Sequence, residues 1–266
     1  MSTNLKLNID GKSGYIYTGA RPFDASKPTV VFIHGTGMEH CVWVLPSRYF
    51  ARHNINVLAV DLPGHGQSEG PTYDNIPDMA DWVVKVLDSM GVQQSAVVGH
   101  SMGSLVAFDV ARRYPDRVRS LGLVGSVLPL LVNDPLLDSS AIDSHDAIDM
   151  LTYWGYSRSA QMGGNETPGM WMVGGTVRLL ERAAPGVINA GLRACNEFII
   201  DTDNTPPLAV DTLLIQGDKD IMTPIRASQS LKSLLPNLRN TVLKGSGHSL
   251  MMERPDELLD ALITIV

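Results

Sequence analysis

The sequence has few cysteines and no long hydrophobic run, and each shortage excludes a class of protein. Its 266 residues include two cysteines, Cys41 and Cys195, and no Cys-x-x-Cys spacing, so we expect no disulfide framework. No apolar run approaches the length that crosses a bilayer, and the N-terminus lacks the basic and apolar stretches of a secretion signal. We therefore expect a cytoplasmic protein without a membrane partner.

Charged residues are also scarce. Asp, Glu, Lys and Arg make up 18% of the chain, and the formal net charge is −7 at pH 7. Because a negative protein without a Lys/Arg cluster repels the phosphate backbone, no nucleic-acid partner is expected. No His, Asp and Glu set has metal-ligand spacing on one element, so we expect neither a metal site nor a cofactor. The oligomeric state is left open.

The chain does contain a regular alternation of short apolar runs and longer helical patterns. This alternation is typical of an α/β protein with a mostly parallel sheet and crossover helices. The predicted strands are 15–18, 29–33, 56–60, 95–98, 120–124, 212–216 and 241–243. Helical spacing of apolar residues predicts helices over 75–90, 105–114 and 256–265.

The alternation breaks between about residues 129 and 207. We predict a core in two parts, 1–128 and 208–266, with a helical cap inserted at 129–207. The insertion is rich in Met and Trp, whose side chains suit an irregular apolar pocket. Trp154 and Trp171 are the candidates for its lining. The alternative interpretation is that they form the insertion's own core.

Ser101 is the leading candidate for a nucleophile, because Gly99-His100-Ser101-Met102-Gly103 joins an apolar β-branched run to a helix-forming run. A serine at the tip of such a turn has strained backbone angles, and glycines two residues before and after it let the turn close. The turn also directs the backbone N–H of Met102 toward an oxyanion on the substrate. Five residues of this kind recur by chance, so ordinary turn glycines are the competing interpretation.

A nucleophilic serine needs a base to take its proton and an acid to orient that base. His248 follows the last predicted strand in a glycine-rich loop that can reach the carboxyl ends of the parallel strands. Of two carboxylates after the preceding strand, Asp220 is preferred as the acid, because Asp218 beside Lys219 suits an exposed bend. The remaining histidines are given no role, and the His100 side chain is expected to point away from the nucleophile.

A second oxyanion donor is expected on the glycine-rich turn His34-Gly35-Thr36-Gly37, which follows a buried strand. The backbone N–H of Thr36 is the candidate donor, and Gly35 is a candidate for the substrate pocket.

These motifs, the chain order Ser101, Asp220, His248 and the segment 61–68 together resemble the α/β-hydrolase superfamily over nearly the whole chain. The resemblance implies an eight-stranded, mostly parallel sheet with helices on both faces and a cap inserted after the sixth strand. It also implies that Asp61 and the loop after it are structural.

The superfamily hosts many reactions, so the activity has to be argued from the site. Serine at the nucleophile position is unlike the Asp of dehalogenase and epoxide-hydrolase members. Ser249 after His248, and Ser104 after Gly103, depart from residues common in carbon–carbon bond hydrolases and enol-lactonase-like members. We therefore expect a carboxylesterase that acts on small to medium, largely uncharged esters through an acyl-enzyme. A carbon–carbon bond hydrolase or lactonase with the same triad is the alternative, followed by a ligand receptor without turnover.

Overall fold

The structure is a computed structural model that describes residues 4–164 and 169–266. An eight-stranded sheet forms its centre, with the strand order β1-β2-β4-β3-β5-β6-β7-β8. The pairs β1–β2 and β2–β4 are antiparallel and the other five are parallel, which confirms the predicted mostly parallel sheet. The strands are β1 Asn4–Ile9, β2 Lys12–Tyr17, β3 Thr29–Ile33, β4 Asn56–Val60, β5 Ser95–His100, β6 Val118–Val124, β7 Asp211–Gly217 and β8 Leu238–Leu243.

The first strand was not predicted. Its apolar residues Leu5, Leu7 and Ile9 alternate with polar ones, as is usual for an antiparallel edge strand with one face exposed to water. The continuous apolar runs that identified the parallel strands are absent from it. The other seven strands overlap the predicted segments, with ends that differ by at most three residues.

Helices cover both faces of the sheet. The described residues form α1 Val44–Arg52, α2 Ile76–Ser89, α3 Met102–Arg113, α4 Asp134–Ala141, α5 His145–Gly155, α6 Arg158–Gln161, α7 Met172–Leu180, α8 Val187–Glu197, α9 Gln229–Leu234, α10 Leu250–Glu253 and α11 Pro255–Ile263. Phe50 of α1 and Leu262 of α11 pack on one face, whereas Val83 of α2 and Leu105 of α3 pack on the other. Burial on both faces explains why the middle of each central parallel strand is a run of apolar residues.

Five of these helices, α4 to α8, lie between β6 and β7. Wherever the structure describes 129–207, this segment forms helices, turns and loops and contains no strand. We call it the cap segment. Residues 1–3 of the predicted first core part and 165–168 of the cap segment lie outside the described residues. In the described ranges, no helix has the length and apolar character needed to span a membrane.

Candidate active site

Ser101 occupies a sharp turn between β5 and α3. Its backbone has φ 53° and ψ −121°, a region that costs a non-glycine residue free energy and that clusters at functional sites. A Cβ at Gly99 would overlap the backbone oxygen of Gly103, and a Cβ at Gly103 would overlap that of His34. Both glycines are therefore required for the turn to close against β3, as the sequence interpretation supposed.

The turn is held by hydrogen bonds on both sides of the serine. Ser101 N–H donates to the oxygen of Val124 at the end of β6 over 3.0 Å. The Ser104 hydroxyl donates to the oxygen of Ser101 over 2.5 Å. These bonds fix the backbone of Ser101 between the end of β6 and the first turn of α3, while its side chain lines a cavity.

His248 and Asp220 form a buried pair beside that cavity. His248 Nδ1 lies 2.8 Å from Asp220 Oδ2. Because an ionised carboxylate only accepts hydrogen bonds, Nδ1 carries the proton and Nε2 of the neutral ring is an acceptor. Among the described residues Nε2 has no hydrogen-bond partner, so it can accept the Ser101 hydroxyl proton. Hydrogen bonds of this type are often formed only when substrate binds.

The Asp220 carboxylate is held in place by its own loop. Oδ1 accepts the backbone N–H groups of Met222 and Thr223, each over 2.8 Å, and Oδ2 accepts the Thr223 hydroxyl over 2.5 Å. Burial alone would raise the pKa of Asp220, but attraction to His248 and the hydrogen bonds from His248 and Thr223 hold it well below its usual range. Asp220 is therefore ionised and oriented toward His248.

Asp218 has a different environment. Its Oδ1 accepts the backbone N–H of Gly245 over 2.6 Å, and its Oδ2 lies 3.3 Å from Lys219 Nζ. Among the described residues, the hydrogen bond from His248 Nδ1 goes to Asp220, and the polar partners of the Asp218 carboxylate are Gly245 and Lys219.

The loop of Thr36 and the first residue of α3, Met102, which carry the two predicted oxyanion donors, both adjoin Ser101. Met102 is the first residue of α3, so its N–H has no partner within the helix. Thr36 lies on the loop after β3, and a Cβ at Gly191 of α8 would come within 2.9 Å of both Thr36 Cγ2 and Met102 Sδ. A Cβ at Gly35 would lie 3.3 Å from Ser101 Cβ, so this loop needs a small residue to approach the serine.

The cavity at Ser101 has a volume of about 310 Å³. Its described lining contains no Asp, Glu, Lys or Arg. The core contributes Gly35, Thr36, Met38, His100, Ser101, Ile221, Met222, Thr223, His248 and Ser249, and the cap segment contributes Leu130, Leu131, Val132, Asn133, Leu136, Leu151, Trp154, Gly155, Thr176, Leu180, Leu192 and Cys195. Apolar side chains of the cap segment thus face the serine, histidine and threonine of the core.

Of the two tryptophans predicted for the pocket, the structure brings only Trp154 to the cavity. The prediction for Trp171 is wrong, because its side chain is 69% exposed and does not line the cavity. Trp171 precedes the first turn of α7 and its ring lies against the backbone of Gly174. A Met/Trp-rich composition indicates an apolar segment but does not say which side of a short helix faces inward.

The contacts of three side chains were not recognised from the sequence, and two of them, His100 and Thr223, line the cavity. His100 was expected to point away, but its Nε2 donates to the backbone oxygen of His248 over 2.9 Å and its ring lines the cavity. His40 was given no partner, yet its Nδ1 lies 2.8 Å from Asp61 Oδ1. Thr223 supports Asp220, and the spacing Asp-x-x-Thr before a proline was an available signal for it.

Comparison with known proteins establishes the class of this protein. Residues 30–261 match the model of the alpha/beta hydrolase family, and the chain belongs to this family. It is 31% identical over 220 residues to 2-hydroxymuconate semialdehyde hydrolase from Pseudomonas putida, and the matched residues cover 75% of this chain and 73% of that protein. It is also 27% identical over 252 residues to pimeloyl-[acyl-carrier protein] methyl ester esterase from Aromatoleum aromaticum, and here the matched residues cover 87% of this chain and 95% of that protein.

Solved structures of the same fold include the enol-lactonase from Burkholderia xenovorans LB400. It superposes with a TM-score of 0.85 at 17% sequence identity and covers 98% of each chain. At this identity the likeness defines the fold, and the chemistry has to come from the site.

Proposed function

We propose that this hydrolase is a serine carboxylesterase that cleaves small to medium, largely uncharged carboxylic esters through an acyl-enzyme. One observation carries the proposal. Ser101 and His248 line the same cavity, and that cavity has no charged side chain in its described lining.

In the proposed reaction, Ser101 Oγ attacks the ester carbonyl carbon while its proton passes to His248 Nε2. The backbone N–H groups of Thr36 and Met102 stabilise the negative oxygen of the tetrahedral intermediate. The protonated imidazole, stabilised by the Asp220 carboxylate, then donates its proton to the departing alcohol. A water molecule repeats the sequence on the acyl-enzyme, which releases the carboxylic acid and restores the serine.

The character of the cavity favours an uncharged acyl group. Leu136, Leu151 and Leu192 of the cap segment line it, and burial of each substrate methylene against such residues contributes about 0.8 kcal/mol. A volume of about 310 Å³ lies at the lower end of the range for small-molecule pockets. These properties support short and medium acyl chains.

The relatives include enzymes named for an ester and for a muconate semialdehyde. A muconate-type substrate of a carbon–carbon bond hydrolase carries a carboxylate, which an enclosed site recognises with Arg or Lys. The described lining of the cavity offers neither. This supports the ester reaction over the carbon–carbon bond alternative, while an uncharged lactone would meet the same apolar walls as an ester.

The test is a steady-state assay of p-nitrophenyl esters from acetate to octanoate, simple lactones and a vinylogous diketone carboxylate, with wild type and Ser101→Ala. We expect turnover of the short esters, no turnover of the diketone, and loss of activity in Ser101→Ala with an unchanged circular dichroism spectrum. Preferred cleavage of the diketone would replace the proposal by the carbon–carbon bond reaction. Binding of esters without turnover would favour a receptor.

A further inference from the structure

Glu253 is a buried carboxylate that lies outside the cavity and next to the loop that carries His248. Its residue is 3% exposed, at the end of α10. Oε1 accepts the backbone N–H of Gly247 over 2.8 Å, and Oε2 accepts the backbone N–H of Ser157 over 3.1 Å. Gly247 precedes His248, and Ser157 belongs to the cap segment. One carboxylate thus joins the loop of the candidate base to the cap.

The two backbones are also in direct contact. A Cβ at Gly247 would lie 2.6 Å from the nitrogen of Ser157 and 2.9 Å from Glu253 Oε1. On the other side of His248, the N–H of Ser249 donates to the oxygen of Gly155, the last residue of α5, over 2.8 Å. Both neighbours of His248 are therefore attached to residues 155–157, directly or through Glu253.

A carboxylate suits this position better than other side chains. Two backbone N–H donors converge on it, and an ionised carboxylate presents two acceptor oxygens, whereas an amide presents one oxygen and one donor group. Burial raises the pKa of Glu253, which the hydrogen bonds from Ser157 and Gly247 partly offset. Because its amide has one acceptor oxygen, a glutamine at 253 would lose one of these two bonds and place its own NH₂ group against the N–H of Ser157 or Gly247.

We propose that Glu253 is a positioning residue that keeps His248 aligned with Ser101 only while the cap segment is docked. The inference rests on the proposed function, in which His248 is the general base. A displacement of a catalytic group by about 1 Å can lower a rate by roughly 10²-fold. The contact therefore makes the position of the base depend on the same segment that encloses the substrate.

The first test is Glu253→Gln, with Glu257→Gln as the matched control. Glu257 lies on α11 with a half-exposed side chain and a weak ion pair with Arg254 at 4.0 Å, so its variant removes the same charge and leaves the acceptor of the Gly247 and Ser157 N–H groups in place. For a p-nitrophenyl ester of short chain, we expect Glu253→Gln to lower kcat by roughly 10- to 100-fold with a change in KM below about threefold. A purely structural role would lower Tm and leave kcat per folded molecule unchanged.

The second test removes the cap's side of the contact. Ser157 has φ −60° and ψ 153°, and Tyr156 before it has φ −109° and ψ 144°, so both residues already have the conformation that proline at 157 requires. Both Ser157→Pro and Ser157→Ala delete the hydroxyl, which accepts the N–H of Ala160 at the start of α6. Only Ser157→Pro also replaces the N–H that Glu253 accepts by a ring carbon. We expect Ser157→Pro to lose several-fold more kcat than Ser157→Ala.

A third readout does not depend on turnover. The proton shared by His248 Nδ1 and Asp220 should give a far-downfield ¹H NMR signal, assigned by its loss in Asp220→Asn. We expect the signal to broaden or vanish in Glu253→Gln and Ser157→Pro and to persist in Glu257→Gln and Ser157→Ala. If Glu253→Gln does not fold, the Ser157 pair decides.

The outcomes separate this inference from the proposed function. Loss of activity in Ser101→Ala together with wild-type kcat and an unchanged NMR signal in Glu253→Gln and Ser157→Pro would overturn the role of Glu253 alone. Absence of ester turnover in the wild type would overturn the proposed function, and the NMR signal would then decide on Glu253.

Discussion

His100 Nε2 donates a hydrogen bond of 2.9 Å to the backbone oxygen of His248, so the residue before the candidate nucleophile holds the candidate base. Since a carbonyl oxygen only accepts, Nε2 carries the proton of His100 and Nδ1 is an acceptor. Nδ1 is buried without a hydrogen-bond partner in the described residues. Burial, and then the neighbouring His248, lower the pKa of His100 to about 3. The ring is therefore neutral at physiological pH.

We expect the protein to lose stability as the pH falls below about 6.5. Burial lowers the pKa of His65 to about 3 as well, so the unfolded state binds protons at these two histidines before the folded state does. The contribution of each histidine to the free energy of unfolding is fully present above the pKa of histidine in the unfolded chain and is lost as the pH falls toward 3. Between pH 7 and pH 5 the loss is about 2 kcal/mol for each histidine. Urea unfolding across this range measures the slope.

The control for this slope is His65→Asn, which removes the titrating imidazole. In the wild type, His65 Nδ1 lies 3.1 Å from the backbone oxygen of Pro63, and the asparagine amide keeps a donor toward that oxygen. Its free energy of unfolding should fall less steeply with decreasing pH than that of the wild type. Parallel curves for the two proteins would show that His65 is not a buried neutral base.

The two carboxylates after β7 should differ sharply in their effect on activity. Asp220→Asn removes the charge that orients and stabilises the imidazole, so we expect kcat to fall by roughly 10⁴-fold. Asp218→Asn keeps an oxygen for Gly245 N–H and should change kcat by less than about threefold, because the carboxylate bonded to His248 is that of Asp220. Ester hydrolysis by the two variants, at equal folded concentration, makes the comparison. A reversal of the two effects would transfer the acid role to Asp218.

The cap segment offers a matched pair of tryptophans. Trp154 lines the cavity and Trp171 is exposed, so Trp154→Ala should enlarge the acyl pocket and shift the optimum of kcat/KM to longer chains. Below the optimum, each added methylene should raise kcat/KM about fourfold, the equivalent of about 0.8 kcal/mol. Trp171→Ala should leave the optimum unchanged. An unchanged optimum in both variants would exclude Trp154 from the acyl pocket.

Local signals in the sequence were sufficient for much of the site. The turn at Ser101 needs glycines at 99 and 103 because the backbones of β3, β5 and α3 meet there, and such a steric requirement leaves a fixed spacing in the sequence. The preference for Asp220 also came from its nearest neighbours. The apolar run of β3, residues 30–33, could be recognised because the strand is buried on both faces.

The features that the sequence did not reveal depend on contacts between distant parts of the chain. The direction of the His100 ring is set by His248, which is 148 residues away. The exposure of Trp171 depends on how α7 packs, and the burial of Glu253 depends on a cap residue 96 positions earlier. None of these contacts leaves a local sequence pattern, because the tertiary fold determines which distant residue each side chain meets.

The most direct measurement of the central claim is the intact mass of the protein after reaction with a p-nitrophenyl alkylphosphonate, followed by peptide mapping. If Ser101 is the nucleophile activated by His248, wild type gains one phosphonyl group on Ser101 in parallel with loss of esterase activity, and Ser101→Ala gains none. A modified Ser101→Ala protein, or ester hydrolysis that persists after complete labelling of Ser101, would contradict the assignment.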